Sequence, residues 1–252
     1  MATPERNDRF LDGETAIVTG AGRGIGRAVA LVFARAGATV IVASRTAEQV
    51  EETAREIADA GGRAHAVPTD ITSRTSIQAL IQRTTDATGR LDIVVNNAGV
   101  FIWKALANLE EGDWDKILDT NLKASYLLIH AALPHLMKSR AGRIINIASI
   151  HGTVGDANVV AHCAAKFGLI GLTKALAREL REANITVNAV CPGSTENKTR
   201  DLVAPRREFP LKEKLSAHDV AEAALFLASP AAAAISGAVL DVWGGTHLSI
   251  KG

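Results

Sequence analysis

The sequence predicts an α/β fold: one doubly wound domain whose seven-stranded parallel sheet carries helices on both faces. Three observations point there. Short β-branched runs alternate with longer helical patterns along the 252 residues, the signature of repeated βαβ units. Runs such as Val40-Ile41-Val42 are apolar without a break, which suits strands covered on both sides. A glycine cluster joins the first apolar run directly to the first helical pattern, as a tight strand-to-helix turn requires.

The elements follow in order. Thr15–Thr19 is the first strand, and a helix begins near Gly24. Thr39–Ala43 is the second, followed by a helix near Ala47; Thr46 and Gln49 have capping-box spacing at its start. Ala64–Pro68 leads to a helix near Ser73, and Asp92–Asn96 to one running from Trp114 to His135. Arg143–Ile147 precedes a helix from His162 to Ala183, and Thr186–Val190 is the sixth strand. An irregular segment rich in Pro, Arg, Lys and Glu, residues 191–214, interrupts the alternation. Ser216 is placed to cap a last helix near Ala217, and Val239–Val242 closes the sheet. Residues 1–12 read as a loose tail with no apolar core, hence no signal peptide. With no repeat and no long linker, residues 1–252 are expected to form one domain.

Composition excludes several classes. A hydrophobic share of 47% and a charged share of 22% are those of an ordinary globular chain. A formal net charge of +1 gives no electrostatic case for nucleic acid or an acidic membrane. No apolar run approaches the roughly 18 residues of a membrane span. Two cysteines, Cys163 and Cys191, build no disulfide framework and have no metal-ligand spacing. A cytoplasmic location is the resulting expectation, with no metal.

The chemistry begins at the turn Thr19-Gly20-Ala21-Gly22-Arg23-Gly24-Ile25-Gly26. Glycines there let a pyrophosphate approach bare amides at a helix start, as in Rossmann-type dinucleotide sites. The spacing resembles the turn of the short-chain dehydrogenase/reductase family, and the resemblance runs through nearly the whole chain. Asn96-Asn97-Ala98-Gly99 is similar to that family's tetrapeptide after the fourth strand. Asp70, followed by Ile71, resembles the acid that contacts adenine, and Asn121 resembles the asparagine that holds a water in the proton relay. Pro192-Gly193 resembles the nicotinamide-side turn; Asn197 stands where the family has a carboxamide-binding threonine, with Thr195 nearby. The pattern is most similar to that of 3-oxoacyl-carrier-protein reductases, although fold-level similarity does not choose a substrate.

Cofactor choice is read at the end of the second strand. Ser44 stands where an NAD site wants a carboxylate for the ribose 2′-hydroxyl. Arg45 beside it and Arg23 in the glycine turn could pair with a 2′-phosphate, so NADP(H) is expected. The alternative is that both arginines are solvated surface charges.

The reacting centre carries the anomaly of the chain. Ser149 is followed 13 residues later by His162-Cys163-Ala164-Ala165-Lys166, the spacing at which the family has Ser and then Tyr-x-x-x-Lys. By resemblance, Ser149 polarises a carbonyl, Lys166 binds the nicotinamide ribose and Asn121 supports the relay. His162 stands in place of the tyrosine that passes the proton. His162 and Lys166, as i and i+4, share one helix face. A free imidazole titrates near ~6.5 against ~10 for a phenol, and a neighbouring ammonium lowers it further. An imidazolium acid at His162 would make activity rise as pH falls toward 6. Three readings stay open: His162 replaces tyrosine in a working reductase; the chain binds cofactor without turnover; or His162 is a loss-of-function change. Of the neighbours, Tyr126 is expected to pack on its helix, His151 to border the pocket or be solvated, Cys163 to pack, and Asp156 to be a surface loop acid.

The expected substrate is a small-molecule or carrier-bound carbonyl. Arg200, Arg206, Arg207, Lys212 and Lys214 either rim the pocket for an acidic carrier or form a solvated loop. The helices 114–135 and 162–183 correspond to those that pair between subunits in the family, so a homotetramer or homodimer is expected. Leu172, Ala175, Leu176 and Leu180 would contribute to that face unless one domain buries them internally.

Overall fold

A computed structural model describes residues 9–196 and 215–243. Strands β1 (Thr15–Thr19), β2 (Thr39–Ser44), β3 (Arg63–Pro68), β4 (Ile93–Asn96), β5 (Gly142–Ile147), β6 (Ile185–Pro192) and β9 (Val239–Val242) form one parallel sheet. Its order is β3-β2-β1-β4-β5-β6-β9, with every neighbour pair parallel. The order reverses between β1 and β4, and ligands in such sheets bind beyond the carboxyl ends of the strands at that point. A further pair, β7 (Thr195–Glu196) and β8 (Leu215–Ser216), is also parallel and was not expected.

Helices α1 (Gly24–Arg35), α2 (Ala47–Asp59) and α7 (Ala217–Ala228) cover one face. Their apolar sides bury Val29, Phe33, Val50, Ile57, Val220 and Leu227 against β1, β2 and β5. Helices α3 (Arg74–Thr88), α5 (Ala124–Leu136) and α6 (Val160–Glu179) cover the other, with Ile77, Leu80, Leu128, Leu136 and Ala177 packed on Ile41, Val94 and Ile144. α6 has the length and mean hydropathy, 1.2, of a membrane span, yet half of its window is buried in the fold and it packs on β6. Leu180 is buried in that core, with Leu172 and Leu176 packed against it, so these leucines serve the fold's interior; Ala175 is exposed.

Several expectations are corrected. The tail is tied down at its end: Leu11 is fully buried and donates its amide to the Ala36 carbonyl, because Phe10 and Leu11 complete the core under α1. Residues 1–8 lie outside the described residues. Thr46 makes no side-chain cap on α2. Ser216 does cap α7, in a reciprocal box with Asp219. The helix expected from Trp114 to His135 begins at α4 (Glu111–Leu118) and is broken by a π turn, Asp119–Lys123, before α5. Tyr126 is 46% exposed, with its ring 5.9 Å from that of His130 one turn on along the same helix. Cys191 and Pro192 belong to β6 and not to an irregular segment.

Candidate active site

The glycine turn leaves β1 with Gly20 at φ 65° and Gly24 at φ 56°, a region that only glycine enters freely. No side chain caps the start of α1, so its first amides face outward with no partner from a cap. A Cβ on Gly22 would stand 2.7 Å from the Gln49 Cβ and 3.0 Å from the Ser44 Oγ. Thr19 ties this turn to the next strand: its Oγ1 donates to the Val95 carbonyl and accepts from the amides of Asn97 (3.0 Å) and Ala98 (3.1 Å). Asn97 Nδ2 returns a bond to the Thr19 carbonyl at 2.8 Å.

These residues line a cavity of about 510 Å³ at the carboxyl ends of β1, β2 and β4. Gly20, Arg23, Gly24, Ile25, Gly26, Ser44, Arg45, Asp70, Ile71, Asn97, Ala98 and Gly99 all border it, as the sequence predicts. Gly22 of the same turn borders it too, as do Thr46 and Gln49, read in the sequence only as a cap, and Thr69, Thr72, Val100 and Thr120, which carried no sequence signal of their own. Ser44 Oγ is buried without a hydrogen-bond partner, while Arg23 and Arg45 are exposed at the rim and make no ion pair among the described residues. Asp70 accepts from the Thr72 hydroxyl (2.7 Å) and amide (2.9 Å), and those bonds hold its carboxyl below the usual range. A larger cleft of about 870 Å³ lies at the far end of α6 and the start of β6, around Lys174, Arg178 and Thr186. It sits at the amino end of a strand, the wrong end of such a sheet for its ligand site.

Next to the first cavity, past Val100, lie the residues the sequence predicts for the reaction. Asn121 sits in the π turn, 2% exposed. Its Oδ1 accepts from the Val100 amide (3.2 Å), and its Nδ2 donates to the Val100 (2.9 Å) and Ile117 (3.0 Å) carbonyls. Gly99 must be glycine because a Cβ there would overlap the Asn121 Oδ1. Ser149 follows β5, and its Oγ accepts from the His151 amide at 3.2 Å. His162 and Lys166 lie one turn apart on α6, 7% and 6% exposed. A buried polar chain fixes α6 behind them: Asn96 Nδ2 to Asn146 Oδ1, and Asn146 Nδ2 to Thr173 Oγ1, each 2.8 Å.

Electrostatics here are set by burial. Lys166 Nζ donates to the Ile147 carbonyl at 2.8 Å, and burial lowers its pKa to about 8. Burial first, then the charges of Lys166 and His151, lower His162 to about 4 against a bond to the Val100 backbone. The lowering by Lys166 was expected; desolvation, which the sequence does not show, is the larger cause and leaves little imidazolium at pH 6. Burial also pushes the Cys191 thiol up to about 11, so it is a neutral neighbour of Lys166. Cys163 is buried and packs, as expected.

Outside the cavity, Gly193 donates its amide to the Val242 carbonyl (2.9 Å) and its own carbonyl accepts from Thr195 Oγ1 (3.0 Å). The structure thus does not bring Pro192, Gly193 and Thr195 to the glycine cradle's lining. Asn197 and the basic residues of 200–214 lie outside the described residues. His151 is no solvated loop residue: its ring stands 5.7 Å from that of His162. Its spacing of two from Ser149 was the only signal. Phe101, which carried none, meets His162 edge-on at 5.0 Å.

A family model described as short chain dehydrogenase matches residues 14–207. A 3-oxoacyl-(acyl-carrier-protein) reductase of Vibrio harveyi is 40% identical over 244 residues, 94% of this chain and 99% of its own. One from Thermotoga maritima is 35% identical over 241 residues, 93% and 98% of the two chains. A 7α-hydroxysteroid dehydrogenase solved with NADH and 7-oxo glycochenodeoxycholic acid superposes with a TM-score of 0.88 at 33% identity, covering 96% of this chain and 98% of that one. A dehydrogenase/reductase of Sinorhizobium meliloti gives 0.87 at 35% identity, with 95% and 97% covered.

Proposed function

The chain belongs to the short-chain dehydrogenase family, and from that membership we propose that it reduces a carbonyl, a 3-oxoacyl group or similar ketone, to a hydroxyl at the expense of NADPH. The observation that carries this reading is the meeting of two constellations at Val100, which borders the glycine cradle and holds Asn121 by two backbone bonds.

The cradle fits a nicotinamide dinucleotide. Bare amides at the start of α1 and the glycines that would clash with any Cβ suit a pyrophosphate. Ser44 Oγ, buried and unpartnered, and the rim guanidinium groups of Arg45 and Arg23 suit a 2′-phosphate. The solved relative with NADH supports the cofactor class; the absence of a carboxylate at Ser44 favours the phosphorylated form. When bound, the nicotinamide supplies a hydride.

The chain's own residues would do the rest. Ser149 Oγ, its acceptor side occupied by the His151 amide, has its proton free to donate to a carbonyl oxygen. Lys166 orients the ribose and places a positive charge beneath the site. Asn121, held at both ends of its amide, keeps the Val100 backbone in place. His162 occupies the position from which a proton must reach the new alkoxide. Pro192, Gly193, Thr195 and Asn197 would close the nicotinamide side. A carrier-bound substrate is the reading the reductase relatives support, and a homotetramer paired through α5 and α6 would cover the exposed Tyr126 and Phe167.

Titration of the protein with NADPH and NADH, followed by acetoacetyl-N-acetylcysteamine and an aromatic ketone, tests this. Tighter binding of NADPH and its oxidation by a ketone are expected. Tight NADPH binding with no oxidation by any ketone makes the protein a cofactor-binding member whose His162 has ended turnover. No binding of either nucleotide removes the reading.

A further inference from the structure

The loop between Ser149 and α6 brings a second titratable pair to the reacting centre. His151 lies with its ring 5.7 Å from that of His162 and nearly perpendicular to it, at 84°. Behind it, Asp156 Oδ2 is 3.5 Å from His151 Nε2. The Phe101 ring stacks on His151 at 6.3 Å and meets His162 edge-on at 5.0 Å, walling both imidazoles on one side. His162 Nδ1 is buried with no hydrogen-bond partner, and His151 Nε2, also buried, has only the Asp156 carboxylate, 3.5 Å away, to approach it. Orphaned buried nitrogens are rare and unfavourable unless they are used. The other charged or titratable groups facing His162 are Lys166, one turn on along α6, and beyond it the neutral Cys191 on β6.

The problem these groups answer is chemical. At pH 7 about one His162 in 10³ is charged, given a pKa of about 4. A neutral imidazole has one N–H and one lone pair. It can release its N–H to an alkoxide only if its other nitrogen takes a proton in the same passage. Otherwise an imidazolate would form.

We propose that His151, backed by Asp156, supplies that second proton, so that His162 acts as a neutral relay between His151 and the substrate oxygen. This rests on the reductase reading. As hydride from NADPH forms the new C–H bond, the carbonyl π pair moves onto oxygen. That pair takes the proton from one nitrogen of His162, forming O–H and breaking N–H. The lone pair on the other nitrogen takes a proton from one nitrogen of His151, whose other nitrogen takes one from solvent in the same passage with the Asp156 carboxylate beside it. The sum is ketone, NADPH and one solvent proton giving alcohol and NADP⁺. His162 is left as the opposite tautomer and resets by exchange once product leaves. His151 and Asp156 thereby act through His162, as positioning and supply residues.

The test compares His151→Gln and Asp156→Asn in two backgrounds, the parent and His162→Tyr, with NADPH and acetoacetyl-N-acetylcysteamine. A phenol carries its own proton, so it makes His151 far less important. In the parent, kcat is expected to fall about 10²-fold for His151→Gln and about tenfold for Asp156→Asn. In the His162→Tyr background each loss shrinks to less than about fivefold, a coupling that a merely structural role does not produce. Imidazole added to parent His151→Ala restores part of the rate, and NADPH titration shows that every variant still binds cofactor. Equal losses in both backgrounds, or a parent loss below about threefold, overturn the relay. A silent parent beside an active His162→Tyr variant overturns it too, while leaving the reductase reading standing. Silence in both, with NADPH bound, overturns the reductase reading and the relay together.

Discussion

Replacing Gly26 by Ala measures how tightly the cradle is built. A Cβ there would stand 2.7 Å from the Gly20 carbonyl carbon and closer still to the Gly20 oxygen and Asn97 Nδ2. Ordinary contact begins at 3.4 Å, so α1 and the turn must separate by about 0.7 Å or more (3.4 against 2.7). Neither neighbour can yield freely. Gly20 is backbone, and Asn97 holds the Thr19 carbonyl at 2.8 Å. Overpacking of this kind destabilises by about 1–3 kcal/mol, and loosening the Asn97 bond adds about 1 kcal/mol. The sum, about 2–4 kcal/mol, lowers the melting temperature of a chain this size by roughly 5–12 °C. Displaced amides also weaken NADPH binding by about tenfold or more. Thermal unfolding with and without NADPH reads both effects, since bound ligand raises the midpoint with the logarithm of its affinity. Gly112→Ala is the control: nothing lies within 4 Å of its Cβ, and on α4 it should stabilise by about 0.5–1 kcal/mol. A Gly26→Ala protein within 2–3 °C of the parent (about 1 kcal/mol) that binds NADPH equally well would refute the packing argument.

Two more outcomes are expected. Ser44→Asp puts a carboxylate where Ser44 Oγ is buried without a partner, so NADPH affinity should fall about 10²-fold while NADH affinity holds or rises; fluorescence titration reads the ratio, and an unchanged ratio removes Ser44 from cofactor choice. Asp92 is 1% exposed; burial pushes its carboxyl up, but bonds from Arg90, Ser139 and the Thr15 amide outweigh that and hold it below the usual range. Its contribution is therefore complete above the unfolded-state value near ~3.9 and lost as pH falls through the lower folded value. Asp92→Asn should cost about 2–3 kcal/mol at pH 7, moderated by the half-exposed Arg90, and progressively less below pH ~4 in urea unfolding; a loss that does not shrink in acid would contradict the linkage.

The sheet was legible because its strands are continuous apolar runs and because Gly20 to Gly26 sits between a strand and a helix. Local pattern sufficed there. Gly20 to Gly26 in the cradle were legible for the same reason, whereas Asp70, Asn97, Ser149, His162 and Lys166 were read from the resemblance to the family. What stayed hidden depends on contacts between distant segments. Gln49 spaces like a capping partner, yet it lies against Gly22 and Thr46 caps nothing. Phe101 and His151 meet His162, and Asp156 meets His151, only after β4 and β5 have placed their loops side by side. Leu11 looked like part of a polar tail because a single buried leucine has no periodicity to announce it. For His162 only the direction of the shift was legible: the neighbouring lysine is visible in the sequence, but the loss of water around the ring is not.

The π turn at Asp119–Lys123 has a further consequence. An α-helix advances ~100° per residue, so an uninterrupted helix from Glu111 to Leu136 would have one fixed phase for all its side chains. Two demands compete along it. Ile117 and Asn121 must look toward α6 and Val100, whereas Leu128, Ala132 and Leu136 must look into the sheet. The wider turn, closed by an Ala124 amide bond to the Asp119 carbonyl, inserts the rotation that lets one helical rod satisfy both. The backbone geometry of this stretch therefore matters as much as its composition. Refolding residues 119–123 as a plain α-helix at their present length would turn the core stripe by about 100° relative to the asparagine, even with every side chain retained.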